Sequence, residues 1–376
     1  MIDPTAFCST LKKAGYDFVT GVPDSLLKEL SKNFIKEFKT KHIISTNEGS
    51  SVGLAIGYYL GKKKPAVVYL QNSGLGNIIN PITSLANPKI YGIPMLLIIG
   101  WRGEMNNKIQ INDEPQHKFQ GQIILNQLKL LKIPNTVISS KTKNYKKIIK
   151  QLKIKSIKYK TPVALVVRKN TFSKSNYNPT FKKKYNFVRE DVIKDIIYST
   201  KKKNSIIVST TGMASRELYE LRKIKKENHF KDFLTVGGMG HASQIAAGLA
   251  LTSKKKIICI DGDGSMLMHT GSMGISSQID NFLHIIINNG AHDSVGGQPT
   301  LGKSLDLEKI AKNFGYKMSF SVSAKKDLLK ILYKCIKSKK SSVIVINCDK
   351  GYRSNLGRPG NDMNKRKEAF LKLLNK

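Results

Sequence analysis

The feature that most constrains this chain is that one run of elements occurs in it twice. Residues 51–74 pass from a glycine-rich helical pattern, through Lys62-Lys63-Lys64 and an apolar strand pattern, to the loop Gln71-Asn72-Ser73-Gly74. Residues 243–264 pass from an alanine- and glycine-rich helical pattern, through Lys254-Lys255-Lys256 and a second apolar strand, to Asp261-Gly262-Asp263-Gly264. A recurrence of this kind predicts two related structural units. Around both copies, short β-branched runs alternate with longer helical periodicities, which predicts an α/β fold of two parallel-sheet domains. Strands are expected at residues 17–20, 42–46, 66–70, 95–99 and 163–167, and again at 205–209, 256–260, 283–288 and 342–346. Helices are expected between them, including 25–38 and 49–60. The stretch 169–187 is polar, rich in Asn, Ser and Lys, and contains Pro179, so it reads as a linker between a first domain at 1–168 and a second at 188–376.

A length of 376 residues suits two domains of ordinary size, and 40% hydrophobic with 24% charged residues excludes a disordered or fibrous chain. The longest apolar run, residues 92–101, is about half of the ~20 residues a membrane-spanning helix needs, and the acidic start at Asp3 is unlike a signal peptide. Cys8, Cys259, Cys335 and Cys348 lie far apart without C-x-x-C spacing, so neither a disulfide framework nor a zinc site is expected and a reducing cytoplasm fits. The net charge of +38 invites a nucleic-acid reading. Only eight of the 64 basic residues are Arg, however, and the lysine runs at 62–64, 182–184, 201–203 and 254–256 fall at element ends, as solvated surface does. With no basic-aromatic array or zinc-finger spacing beside the charge, no specific nucleic-acid partner and no membrane partner is expected.

Chemistry is expected in the second copy, where the loop after the strand is acidic. Gly262-Asp263-Gly264-Ser265 closes an apolar strand and opens a helix, so its amides can face an anion while Asp263 faces a cation. Taken alone, the same residues also describe a plain turn. Twenty-six residues after Asp263, at the end of the next strand, stands Asn289 in Asn288-Asn289-Gly290. A carboxylate and an amide oxygen from adjacent strand ends, with a nearby backbone carbonyl, form a hard oxygen site suited to Mg²⁺ that shares its other positions with phosphate oxygens. Glu48, after Asn47 at a helix start, either complements the helix dipole or, in a closed apolar cleft, is a carboxyl of raised pKa.

The Gly262-Asp263-Gly264 segment followed by Asn288-Asn289 resembles the signature of thiamine diphosphate enzymes. The resemblance implies thiamine diphosphate and Mg²⁺ as cofactors, with Asp263, the Asn289 side chain and the Ala291 carbonyl as metal ligands. It implies further that Glu48 bonds the aminopyrimidine ring nitrogen, that the Gly237 carbonyl meets the exocyclic amine, and that Met239 bends the cofactor. Gly212 and Met213 in Thr211-Gly212-Met213 would lie beside the diphosphate, with Gly262, Gly264 and Ser265. Gly21-Val22-Pro23-Asp24-Ser25, residues 71–77, Trp101-Arg102-Gly103-Glu104, residues 113–117, Asn289-Gly290-Ala291-His292-Asp293-Ser294 and Leu356-Gly357-Arg358-Pro359 narrow the likeness. Together they resemble the phosphonopyruvate and sulfopyruvate decarboxylases, in a two-domain form with a pyrimidine-binding domain, a diphosphate-binding domain and no middle domain. The family implies decarboxylation of a small 2-oxo acid and a homo-oligomer with active sites between subunits. Asp24, His117 and His292 are then the candidate proton donors. Arg102, Arg353 and Arg358, arginines in loops of a lysine-rich chain, are the candidate partners of the substrate's distal anion, because the guanidinium fork matches a phosphonate better than an ammonium does. The reading from another class is a noncatalytic basic protein that binds anions or nucleic acid.

Overall fold

The computed structural model describes residues 1–107, 109–179, 181–201, 203–360 and 362–374; Lys202 of the third lysine run lies outside them. The chain divides into two compact units, Met1–Thr180 and Phe181–Lys376. The first contains β1 Val19–Gly21, β2 His42–Ile44, β3 Ala66–Gln71, β4 Met95–Gly100, the short β5 Met105–Asn106 and β6 Ile109–Gln110, β7 Asn135–Ile138 and β8 Pro162–Val167. The second contains β9 Ser205–Ser209, β10 Asp232–Leu234, β11 Lys256–Gly262, β12 Phe282–Asn288, the short β13 Ala291–His292 and β14 Gln298–Pro299, β15 Met318–Val322 and β16 Ser342–Asn347.

Among the described residues each unit has one six-stranded parallel sheet, ordered β2-β1-β3-β4-β8-β7 in the first and β10-β9-β11-β12-β16-β15 in the second. Counted along the chain within each sheet, both orders read 2-1-3-4-6-5, so the repeat in the sequence is a repeat of topology. Helices cover both faces, which is why the central strands are continuous apolar runs: all six residues of β4 and of β8 are buried. Alternate residues of β4 serve opposite cores. Leu96 and Ile98 pack with Phe7, Leu30 and Phe34, while Met95, Leu97 and Ile99 pack with Val52, Ile78 and Ile124. The second sheet is divided in the same way, Ile258 and Ile260 on one face and Ile257 and Cys259 on the other.

One helix boundary differs from the sequence expectation for a local reason. The helix expected from residue 25 begins at Lys28, because the Asp24 carboxylate takes the N–H groups of Leu26 and Leu27 at 3.1 and 3.2 Å and holds residues 25–27 in a turn. In the expected linker, Ser175 bonds Glu29 and Asn33 of the first unit, and Lys184 and Tyr185 donate their amides to Asp349 of the second. The loops leaving the carboxyl ends of parallel strands are where ligands of such sheets bind, and most of the expected site residues fall there.

Candidate active site

In the first unit, loops after β1, β3 and β4 are bonded to one another. Asn72 and Arg102 exchange hydrogen bonds, Asn72 Nδ2 donating to the Arg102 carbonyl at 3.0 Å and the Arg102 N–H to Asn72 Oδ1 at 3.1 Å. Arg102 Nη1 donates to Ser25 Oγ at 2.9 Å, and its Nε and Nη2 grip Asp113 at 2.8 and 2.5 Å. Burial pushes the Asp113 carboxyl upward, but the bonds from Arg102 override it and hold the group well below the usual carboxylate range. Asp24 is buried beside this cluster. Burial moves its pKa up to about 6 against the pull of Arg102, and its Oδ1 has no hydrogen-bond partner among the described residues. His117 is buried on the helix Pro115–Leu130.

Glu48 opens the helix Glu48–Lys62, capped by Asn47, whose Oδ1 accepts the Ser50 amide at 2.8 Å. Its carboxyl is turned inward, 6% exposed, with Oε2 accepting from Asn77 Nδ2 at 2.7 Å. Burial raises its pKa, and the Asn77 bond only partly offsets that. The close approach depends on Gly74, since a Cβ there would lie 2.4 Å from Glu48 Oε1. The motif at residues 71–77 thus reaches Arg102 through Asn72 and Glu48 through Gly74 and Asn77.

In the second unit, Ser265 joins the three expected cofactor segments: its Oγ accepts the Gly240 N–H at 3.0 Å and bonds Thr210 Oγ1 at 2.9 Å. Gly212, at φ +88°, starts the helix Met213–Ile224 with Met213 buried; Gly237 and Met239 are half-buried in the segment ending at Gly240. Asp263 begins the helix Asp263–Met268 directly after Gly262 and is 2% exposed. Thr300 Oγ1 and the Gly264 N–H bond it, yet burial dominates and moves its pKa up to about 6. The His292 ring lies against Gly264, whose Cβ would be 2.8 Å from Cε1, and burial pushes that imidazole down to about 4.

The fit of this site to a divalent cation rests on Gly302. A Cβ there would lie 2.3 Å from Asp263 Oδ2 and 2.5 Å from Asn288 Oδ1, so both oxygens face one small space. Asn288 Oδ1 is buried with no hydrogen-bond partner among the described residues. A carboxylate and an unpartnered amide oxygen converging in this way suit a hard cation such as Mg²⁺. The neighbouring Asn289 has its amide held at both ends: its Nδ2 donates to Asp293 Oδ2 at 2.8 Å and its Oδ1 accepts the Ala291 N–H at 3.1 Å. Below about pH 6 a cation at Asp263 competes with a proton. Mg²⁺ affinity in the presence of thiamine diphosphate is therefore expected to be flat above that pH and to fall by roughly tenfold per pH unit below it. Calorimetric titrations on either side of pH 6 check this, and equal affinities would contradict it.

The candidate anion partners are differently placed. Arg102 is committed to Asp113 and Ser25 through three of its N–H groups. Arg353 donates to Glu190 at 2.7 Å, and Arg358 is exposed. Sequence reasoning missed Asn77, Thr300 and Gly302 as neighbours of the key carboxylates, and of the pair Asn288-Asn289 it took Asn289 alone as the cation ligand.

Residues 5–130 match the description "Thiamine pyrophosphate enzyme, N-terminal TPP binding domain", and residues 210–346 match "Thiamine pyrophosphate enzyme, C-terminal TPP binding domain". The fold and the two clusters therefore define a thiamine pyrophosphate enzyme. A phosphonopyruvate decarboxylase of Streptomyces hygroscopicus is 30% identical, over 96% of this chain and 90% of its own length. One from Streptomyces viridochromogenes is 29% identical, over 96% of this chain and 91% of its own. A sulfopyruvate decarboxylase of Methanosarcina acetivorans is 28% identical, over 86% of this chain and 85% of its own. The chain belongs to the family of thiamine pyrophosphate-dependent decarboxylases that these relatives represent, which replaces the noncatalytic reading.

Proposed function

We propose that the protein converts phosphonopyruvate to phosphonoacetaldehyde and CO₂ without net oxidation, using thiamine diphosphate and Mg²⁺, in the cytoplasm and within phosphonate biosynthesis. The observation that carries this reading is the likeness to two phosphonopyruvate decarboxylases along 96% of the chain. Loss of CO₂ from a 2-oxo acid leaves an electron pair on an acyl carbon, and bound thiamine diphosphate supplies the sink for it. In this reading Asp263, Asn289 Oδ1 and the Ala291 carbonyl would hold Mg²⁺, and Asn288 Oδ1 shares the space beside Asp263. The loops at Gly212-Met213 and at Gly262-Asp263-Gly264-Ser265 receive the diphosphate, and Gly237 and Met239 receive the aminopyrimidine. Glu48 exchanges a proton with the pyrimidine ring nitrogen, a task for which a buried carboxyl of raised pKa is suited.

The proton that replaces CO₂ comes from Asp24, His117 or His292. Asp24, with its pKa near 6, can both hold and release a proton close to neutral pH, whereas His292 is neutral there. Arg102 keeps two N–H groups beyond those given to Asp113 and Ser25. It, Arg353 and Arg358 are the groups offered to the distal dianion. The cofactor is shared between the first unit of one subunit and the second unit of another in a homo-oligomer; an active monomer would contradict this. Sulfopyruvate is the second reading, favoured by the Methanosarcina relative, and it differs from phosphonopyruvate by one charge.

The test is CO₂ release from phosphonopyruvate by protein stripped with EDTA and then resupplied with thiamine diphosphate and Mg²⁺. Release that requires both supports the proposal, and release that needs neither contradicts it. Gly74→Ala is expected to lower the same rate by roughly 10²-fold, because its Cβ would displace the Glu48 carboxyl. An unchanged rate would show that the contact is not required.

A further inference from the structure

Asn289 stands at one end of a buried polar chain whose other members the site described above leaves without a task. Arg189, 7% exposed at the start of the helix Arg189–Thr200, donates Nε and Nη2 to the two Glu217 oxygens at 2.8 and 2.9 Å. Its Nη1 donates to Asp293 Oδ2 at 2.9 Å. The same Asp293 oxygen accepts from Asn289 Nδ2 at 2.8 Å and from the Gly351 N–H at 3.3 Å. At the other end of the amide, Asn289 Oδ1 accepts the Ala291 N–H at 3.1 Å. These two contacts fix which end of the amide is which: turned over, it would set its oxygen against a carboxylate and its NH₂ against an N–H. Among the described residues one lone pair of Asn289 Oδ1 is left over.

An unrestrained Asp293 would be a competing hard ligand four residues from Asn289. With Arg189 bound to it, the carboxylate is ion-paired and held as an acceptor for the amide. We infer that Asp293 and Arg189 are positioning residues of the cation site: Asp293 fixes the Asn289 amide with its oxygen presented, and Arg189 keeps the Asp293 carboxylate in that role. Glu217 holds the other edge of the Arg189 guanidinium through two hydrogen bonds and makes none to the amide. The inference rests on the proposed reading of Asn289 as a cation ligand. Groups that orient a metal ligand in this way are worth about 10–100-fold in metal affinity.

The test uses Mn²⁺ as a paramagnetic substitute for Mg²⁺, its free concentration followed by electron paramagnetic resonance with thiamine diphosphate present. Wild type is compared with Asp293→Ala, Asp293→Asn and Glu217→Gln. Asp293→Ala is expected to weaken Mn²⁺ binding by about 10–100-fold, with kcat recovered at saturating Mn²⁺. Asp293→Asn keeps an oxygen that accepts from Asn289, and its affinity is expected to stay within roughly threefold of wild type. Glu217→Gln is expected to lower Tm without the loss of Mn²⁺ affinity. Wild-type affinity in Asp293→Ala, an equal loss in Asp293→Asn, an equal loss in Glu217→Gln, or a kcat that excess Mn²⁺ does not recover would each overturn the inference. If Asp293→Ala does not fold, Asp293→Ser gives the same comparison, since its hydroxyl is too short to reach the amide. A wild-type protein that binds no Mn²⁺ with thiamine diphosphate would instead remove the proposed cation site, and this inference with it.

Discussion

Replacing Glu48 by Gln is expected to lower decarboxylation by roughly 10²–10⁴-fold while leaving affinity for thiamine diphosphate within about tenfold, the range expected when a general acid-base group is lost and its shape is kept. Gln occupies the same space beside Gly74 and can still meet Asn77, so packing against the helix Glu48–Lys62 is preserved. What disappears is a proton that moves. The Glu48 carboxyl is buried and of raised pKa, so in the folded protein its neutral and charged forms lie closer in energy than they do in water. An amide has no such second form. Exchange of the cofactor's C2 proton for deuterium, followed by quenched NMR, separates this effect from binding: it is expected to slow in Glu48→Gln as turnover does. Unaltered exchange with lost turnover would move the role of Glu48 to a later step.

The second large effect is expected at Asp263, and it has opposite signs with and without the cation. Burial moves this carboxyl from 3.8 to about 6 in the cation-free protein. Its folded pKa therefore lies above its unfolded one. Its contribution to stability is greatest below about pH 4 and is lost as pH rises through 6, a penalty of about 3 kcal/mol at neutral pH. Asp263→Asn removes that penalty, so the cation-free variant is expected to melt several degrees above cation-free wild type. Opposite a cation the carboxylate is worth about 4 kcal/mol per unit of cation charge at ~4 Å and an effective dielectric near 20, hence roughly a thousandfold in affinity for each charge. Asp263→Asn should then gain almost nothing in Tm from Mg²⁺ and thiamine diphosphate, while wild type gains several degrees. Scanning calorimetry with and without both cofactors checks this, and equal gains would contradict the assignment of Asp263 as a ligand.

The internal repeat was legible because the central strands are buried on both faces and must be continuous apolar runs. Every strand read from the sequence is present, within two residues at each end. The strands it missed in the two six-stranded sheets, β7, β10 and β15, each lie at a sheet edge, and it also missed the two-residue strands β5, β6, β13 and β14. At those sheet edges polar residues are admitted: Asn135 is exposed, Ser321 of β15 (Met-Ser-Phe-Ser-Val) is exposed, and β10 begins at Asp232, which is buried but paired with Arg222. At the site, residue types and spacing pointed to Asp263 and to the Asn288-Asn289 pair, but direction was not legible. Which amide oxygen stands free depends on Gly302 on one side and on Asp293 on the other, and that follows from the packing of loops rather than from spacing. The same limit applied to Arg102. A loop arginine in a lysine-rich chain suggested an anion partner, and its bidentate grip on Asp113, eleven residues away, emerged only with the fold.

The most direct test of the central claim is a competition assay. Phosphonopyruvate, sulfopyruvate and pyruvate are supplied together at equal concentration to the protein with thiamine diphosphate and Mg²⁺, and the disappearance of each is followed by NMR. Phosphonopyruvate is expected to be consumed first, with kcat/KM roughly tenfold or more above the others, and only when both cofactors are present. Faster loss of sulfopyruvate would contradict the substrate assignment while keeping the chemistry, and consumption indifferent to the cofactors would contradict both.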